Sequence, residues 1–93
     1  MPLTVHLPSQ LRAYTQRAST LTLADDELQP PTVDGALWAL DRRGPGLRFR
    51  VIDEQGRVRR HMLIFLGEDK VEDLQLPLAP GRALTLVGAL SGG

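Results

Sequence analysis

One helical segment lies between two sets of strand-like segments, and this order constrains the fold more than any other feature. Residues 3–7 and 19–23 precede the helical segment, and residues 60–66 and 83–87 follow it. Apolar side chains at every second position, as in residues 3–7, are typical of strands that bury one face. With 93 residues, the chain has room for a single core. We therefore predict an α+β roll in which a mixed sheet of four to five strands packs on one helix.

Both ends of the predicted helix are marked by residues that favour helix boundaries. Thr32 is a suitable N-cap, and Asp34 complements the positive end of the helix dipole. Two arginines suit the last turn, and the Gly-Pro-Gly sequence at 44–46 ends the helix. Between these ends, apolar residues recur with helical spacing at Val33, Ala36, Leu37 and Leu40.

The remaining segments predict how the strands connect. The first two strands form a wide hairpin, followed by an irregular acidic loop at 25–31. Residues 47–51 alternate and predict a short strand or an irregular turn. Turns are predicted at 67–69 and 78–81, with a short edge strand between them in 71–76. The first and last strands would lie side by side in the centre of the sheet.

The overall composition argues against several classes of partner. Eleven Lys and Arg balance eleven Asp and Glu, so charge gives no support for a general nucleic-acid or anionic-membrane binder. The absence of cysteine excludes disulfides, thiolate zinc sites and a cysteine nucleophile. No signal-peptide pattern is found, and no apolar run approaches the ~20 residues that span a bilayer. We expect a soluble, cytoplasmic protein with no nucleic-acid or membrane partner.

Candidates for catalytic and metal chemistry are weak. His6 and His61 have no paired acid at a metal-ligand or triad spacing, so no metal site is expected. Residues 41–60 hold seven of the eleven basic residues together with three carboxylates, and only Phe49 offers a ring for base stacking. We interpret this stretch as a solvated face or a dock for an acidic partner. Trp38 lies beside the apolar stripe of the helix and is predicted to pack.

Several segments carry a resemblance to a known family. The final sequence LTLVGALSGG at 84–93 resembles the closing strand and tail of the MoaD/ThiS family of ubiquitin-like sulfur carriers, which end in a free Gly-Gly. Residues 62–69 resemble their central strand and turn, and residues 73–81 resemble the loop before the last strand. The insertion at 48–60 is most similar to that of the CysO-type carriers. Gly88 and Gly67 depart from the family, which often has Pro and Asn there. The resemblance implies a β-grasp (ubiquitin-like) fold for a single domain, 1–93, with a flexible tail at 88–93.

The resemblance also implies a chemical role for the tail. In this family, an ATP-dependent adenylating enzyme resembling the ubiquitin-activating enzymes activates the terminal carboxylate, which becomes a thiocarboxylate that donates sulfur. By resemblance, Gly93 is the reacting residue, while Ser91 and Gly92 form a narrow, flexible approach to it. The implied partners are the activating enzyme, a sulfur source protein and a sulfur-accepting synthase. The chain would bind no cofactor and would not itself be an enzyme.

The fate of the activated carboxylate stays open. The resemblance favours cysteine biosynthesis, while molybdopterin, thiazole and thiolated tRNA are other possible sulfur acceptors. A second class is a ubiquitin-like modifier that is joined to target lysines through Gly93. A third class is a non-catalytic docking subunit or Arg-rich binding module, for which Gly93 would be dispensable. Alone, a terminal Gly-Gly would indicate only a frayed chain end.

A recognition surface is predicted on the sheet. If 60–66 is a strand, Leu63 and Phe65 face away from the helix, because strand side chains alternate between the two faces. With the last strand beside it, Val87 joins them in an apolar patch bordered by His6 near the root of the tail. Exposed apolar patches of this kind mark binding faces. In the alternative reading, the insertion at 47–60 covers Phe65.

Overall fold

A computed structural model describes residues 2–88 of the chain. Its strands are β1 (Leu3–His6), β2 (Thr20–Leu23), β3 (Met62–Leu66), β4 (Asp69–Lys70) and β5 (Leu84–Gly88). The helices are α1 (Val33–Arg43) and α2 (Leu47–Val51), and 3₁₀ turns are present at Ser9–Thr15 and Asp25–Glu27. The second 3₁₀ turn lies in the predicted acidic loop. The predicted tail residues Ser91, Gly92 and Gly93 lie outside the described residues.

The five strands form one mixed sheet in the order β2-β1-β5-β3-β4. β1 is antiparallel to β2 and parallel to β5, and β5 is antiparallel to β3. The first and last strands are therefore neighbours and β5 is central, as predicted. The wide hairpin between β1 and β2 is also confirmed. This sheet, with α1 packed against it, confirms the predicted α+β β-grasp fold.

The inward-facing side chains of the strands and the apolar stripe of α1 pack together in one core. In β3 the buried residues are Met62, Ile64 and Leu66, and in β5 they are Leu84 and Leu86. These side chains share a single apolar cluster with the four predicted stripe residues of α1. Fully burying one such aliphatic side chain contributes roughly 1.5–3 kcal/mol. The Thr32 hydroxyl accepts a hydrogen bond from the Gly35 N–H at 3.1 Å, which confirms the predicted N-cap.

The segment 47–51 is a short helix, so the predicted strand or irregular turn was wrong. Leu47 and Val51 are buried, whereas Phe49 between them is 54% exposed. A spacing of four residues suits one face of a helix as well as it suits alternation. The Asp41 carboxylate decides between them, because it accepts hydrogen bonds from the Gly46 and Arg48 N–H groups at 3.1 Å and so caps the new helix.

The predicted edge strand in 71–76 was also wrong, because the edge strand is β4 at Asp69–Lys70. It follows β3 through a tight turn in which Gly67 has φ +61. After one further hydrogen bond to the sheet, the chain turns towards the start of α1. There the Leu74 and Leu76 carbonyls accept hydrogen bonds from the Asp34 and Val33 N–H groups, at 2.9 and 3.0 Å. The segment thus satisfies N–H groups of the first helical turn, which have no partner within the helix.

Candidate functional site

The predicted recognition residues lie together on the face of the sheet that points away from α1. Leu63 is paired with Val87, and Phe65 is paired with Thr85. On the other side of β5, His6 is paired with Thr85. We call these five residues the sheet face. His6 is exposed and the other four are half-buried, so the structure forms the predicted cluster, while its role in binding stays a prediction.

The insertion at 47–60 does not fully cover Phe65, which keeps part of its surface accessible. The apolar residues of the insertion point elsewhere: Leu47, Val51 and Ile52 are fully buried in the core. Helix α2 packs against α1 and against the 3₁₀ turn at Ser9–Thr15. The insertion therefore extends the helical layer and leaves Phe65 half-buried among its sheet neighbours.

A shallow groove of about 330 Å³ lies at the end of β5, where the chain leaves the described residues. Its walls are formed by residues 6–10 and 85–88. A Cβ atom at Gly88 would overlap the side-chain amide of Gln10. A glycine here, where the family often has proline, thus lets the Gln10 amide lie against the strand end. Gln10 was not singled out from the sequence, because no local pattern links it to position 88.

A two-pronged ion pair joins α1 to the turn at Asp25–Glu27. Two guanidinium nitrogens of Arg43 donate to the two Glu27 carboxylate oxygens, at 2.6 and 2.9 Å. The Ala24 N–H also donates to this carboxylate, at 2.9 Å. The bond from Arg43, followed by that from Ala24, lowers the pKa of Glu27 to about 2. Arg43 also donates to the Thr22 carbonyl at 3.1 Å, so this pair holds α1 against β2.

The arginine-rich stretch carries two stacked guanidinium groups. Arg48 lies 4.2 Å from the ring centroid of Trp38 and donates to Asp34 at 2.8 Å. Arg59 lies 4.4 Å from the ring centroid of Phe49. Trp38, predicted to pack beside the apolar stripe, is 45% exposed and packs against the Arg48 guanidinium group. It follows Leu37 in the helix and so points about 100° away from that buried side chain.

Within residues 2–88, no cluster of three His, Asp or Glu side chains could hold a metal ion. The same residues contain no helix long and apolar enough to cross a membrane. The Nδ1 atom of His6 lies 3.4 Å from the Thr20 hydroxyl.

Neither a family model nor a curated protein matches this sequence. Solved structures do match it over nearly all of its length. SAMP1 from Haloferax volcanii is 26% identical with a TM-score of 0.79, covering 100% of both chains. CysO from Mycobacterium tuberculosis is 22% identical with a TM-score of 0.82, covering 95% of this chain and 99% of its own. CysO in the BexX/CysO complex from Amycolatopsis orientalis is 23% identical with a TM-score of 0.81. The match covers 98% of this chain and 99% of the other.

These neighbours share the fold of this chain over nearly its whole length. The chain has the β-grasp fold of the MoaD/ThiS-type ubiquitin-like sulfur carriers, and the predicted resemblance to the CysO type is confirmed.

Proposed function

We propose that this protein is a sulfur carrier whose Gly93 carboxylate is activated and converted to a thiocarboxylate. A carboxylate is a poor electrophile, so a partner enzyme must first activate it. A Gly93 oxygen attacks the α-phosphorus of ATP, pyrophosphate leaves, and an acyl-adenylate forms. Hydrosulfide delivered by a source protein then attacks the acyl carbon, AMP leaves, and the proton of the hydrosulfide passes to water. The resulting thiocarboxylate passes its sulfur to an acceptor bound by a synthase.

The observation that carries this proposal is the match to SAMP1 and CysO over nearly the whole chain, combined with the Gly-Gly sequence after the last strand. In the described part, β5 is the central strand, and its first residues pair with both β1 and β3. Its last residues pair with β3 as far as Gly88, so the five residues that follow in the sequence start from a strand end held by β3. Two glycines without side chains suit entry into a narrow channel of a partner enzyme.

The sheet face is the proposed recognition surface for the activating enzyme. It presents Leu63, Phe65 and Val87 next to the strand that leads to the tail. A partner that covers this surface removes apolar area from water and at the same time positions the tail root. Recognition and chemistry would then be divided between two parts of the molecule, a rigid apolar face and a reactive terminus.

Cysteine biosynthesis is the favoured destination of the sulfur because two of the matching structures are CysO proteins. Molybdopterin, thiazole and tRNA thiolation are other acceptors for the same thiocarboxylate. A second candidate function is protein modification, which is favoured by the 26% identity to SAMP1 and by the name small archaeal modifier protein 1. In that case a lysine amine of a target protein, rather than sulfur, attacks the activated Gly93 carbon.

The deciding experiment is the intact mass of the protein purified from its native cell. We expect a species heavier than the unmodified chain by the mass difference between sulfur and oxygen, located at Gly93 by fragmentation. Gly93 joined to lysines of other proteins would support the modifier function instead. A mature chain that ends at a residue other than Gly93 would contradict both proposals.

A reconstituted reaction gives a matched test with purified activating enzyme, ATP and a sulfide source. Deleting Gly93, or adding one residue after it, should abolish thiocarboxylate formation, because the reacting carboxylate is removed or displaced. Both variants should keep the wild-type unfolding midpoint, since positions 89–93 follow the last strand. Sulfur transfer that persists in either variant would overturn the proposal.

A further inference from the structure

A cleft of about 690 Å³ lies at the start of β3, between the insertion and the segment after β4. Residues 56–60 form one wall, residues 70–75 form the other, and residues 62–64 lie between them. Asp34 and Arg48 lie at its helical end. We call this feature the arginine cleft. Neither the proposed chemistry at Gly93 nor the sheet face explains it.

The floor of the arginine cleft carries an apolar strip within a lining that is otherwise polar. Val58, Leu63 and Leu74 are half-buried there and lie against the buried core residues Met62, Ile64 and Val71. β4 pairs only with Phe65 and Leu66 of β3. Before these residues no strand pairs with β3 on this side within the described chain, and its backbone is held there by hydrogen bonds from the Val71 N–H to the Ile64 carbonyl and from the Met62 N–H to the Arg59 carbonyl. Such a site suits an extended segment that carries apolar side chains.

The rim of the arginine cleft is mixed in charge but basic on balance, because Arg57, Arg59, Arg60 and Lys70 line it together with Glu72 and Asp73. Arg57 and Arg60 are exposed, and neither has a carboxylate within ion-pair distance in residues 2–88. Lys70 has one weak contact, to Glu72 at 3.9 Å. The nearby Asp53 carboxylate accepts hydrogen bonds from the Gln55 and Arg57 backbone N–H groups rather than from an arginine side chain. Cationic groups in the rim thus remain available to an incoming anion.

Two further arginines of the cleft are held in fixed positions. Arg48 lies between the Trp38 ring and the Asp34 carboxylate. Arg59 lies over the Phe49 ring and donates to the Phe49 carbonyl at 2.6 Å. Stacked and hydrogen-bonded guanidinium groups lose less side-chain entropy when they bind an anion. This arrangement also gives the exposed rings of Trp38 and Phe49 a structural role.

From these features we infer that the arginine cleft binds an acidic, apolar-containing extended segment of a partner protein. The basic rim would pair with carboxylates of that segment, while its apolar side chains would cover the cleft floor. A nucleic-acid strand fits less well, because Asp34, Glu72 and Asp73 line the same cleft and would repel closely spaced phosphates. A free phosphate would leave the apolar floor exposed to water. The proposal is independent of the chemistry at Gly93.

The test uses the full-length protein and a fluorescein-labelled peptide of about ten residues in which glutamate and leucine alternate. Fluorescence anisotropy at low salt should show saturable binding. In ¹⁵N spectra, the amide shifts should centre on 57–60, 62–64 and 70–75. The same peptide with glutamine in place of glutamate should bind much more weakly. Raising the salt to about 0.5 M should also weaken binding, because exposed charges are then screened.

Charge-reversal variants inside and outside the cleft distinguish peptide binding at this site from a general attraction between opposite charges. The double variant Arg57→Glu and Arg60→Glu should weaken binding by about tenfold or more, as expected for the loss of several rim contacts. Arg50→Glu and Arg17→Glu are the controls. Arg50 is an exposed arginine of the same insertion that does not line the cleft, and Arg17 is exposed outside the insertion. Neither control should weaken binding by more than about twofold.

The inference would be overturned if the peptide failed to bind or if the double variant bound it like the wild type. It would also be overturned if the controls lost as much affinity as the double variant. Tight binding of an oligothymidine strand without binding of the peptide would show a nucleic-acid site instead. The unfolding midpoints of all variants check that they fold. The binding test does not depend on sulfur transfer, which is measured separately.

Discussion

The sheet face and the arginine cleft meet at Leu63, which belongs to both, but they are built in different ways. On the sheet face, side chains are oriented by strand alternation alone, so Leu63 and Phe65 point away from the core that Ile64 enters. In the arginine cleft, side chains are oriented by contacts between distant positions. Arg48 reaches Asp34, which is 14 residues earlier, and Arg59 reaches the Phe49 carbonyl, 10 residues earlier. A surface set by local periodicity can thus be predicted from sequence, whereas one set by long-range contacts cannot.

The largest expected effect is a difference in the free energy of unfolding between substitutions on the two faces of β3 and β5. Ile64→Ala and Leu86→Ala should each lower the free energy of unfolding by about 2–5 kcal/mol, because both side chains are fully buried. Leu63→Ala, on the half-buried sheet face, should cost about 1 kcal/mol. Urea denaturation of the three variants measures the contrast. Equal losses in Ile64→Ala and Leu63→Ala would mean that the two faces are energetically alike.

The next effect tests whether the sheet face is used for binding. Phe65→Asp should weaken binding to the activating enzyme by about 2 kcal/mol or more, since an apolar anchor is replaced by a desolvated charge. The isolated domain should lose about 1 kcal/mol of stability, because Phe65 is half-buried and Asp is a poor strand former. Isothermal titration calorimetry and thermal unfolding measure the two quantities.

The control for Phe65→Asp is the same substitution at Phe49, which is 54% exposed on the insertion. It should leave affinity for the activating enzyme unchanged. If both variants bind the activating enzyme like the wild type, the sheet face is incidental and the tail alone is recognised. If Phe49→Asp weakens binding as much as Phe65→Asp, the enzyme covers the insertion as well.

The smallest effect concerns the ion pair that holds α1 against β2. The folded-state pKa of Glu27 lies at about 2, below the ordinary glutamate value, so its carboxylate stabilises the fold above the unfolded-state pKa. This contribution should be lost as the pH falls from about 5 to about 2. At pH 7, Glu27→Gln should cost about 1 kcal/mol, because the pair is partly exposed and solvent screens it.

Urea unfolding of the wild type and of Glu27→Gln across this pH range measures that contribution. The two free energies of unfolding should converge near pH 2. A difference that stays constant from pH 7 to pH 2 would contradict the assignment. The sheet face and the arginine cleft should be unaffected, because Glu27 lines neither of them.

Much of the candidate site could be predicted from the sequence, because it depends on the alternation of side chains along each strand and on the order of strands and helix along the chain. The buried face of β3 and the outward direction of Leu63 and Phe65 follow from strand alternation. The pairing of β1 with β5 is compatible with the order of strands and helix, but the tertiary structure establishes it. The short helix α2 was missed, because the four-residue spacing of Leu47 and Val51 is compatible with both a helix and a strand. The capping carboxylate that decides between them, Asp41, lies outside the segment.

By itself, the sequence determined the α+β class, the N-cap at Thr32, the buried stripe of α1 and the Gly-Gly sequence on which the proposed chemistry depends. These features need only neighbouring residues and intrinsic backbone preferences. Only the tertiary structure decided that residues 71–76 cap α1 instead of extending the sheet, that Trp38 stacks on Arg48 at the surface, and that the arginines of the insertion line a cleft. Each of these depends on groups that are distant in the chain and that only packing brings together, so no local pattern reveals them.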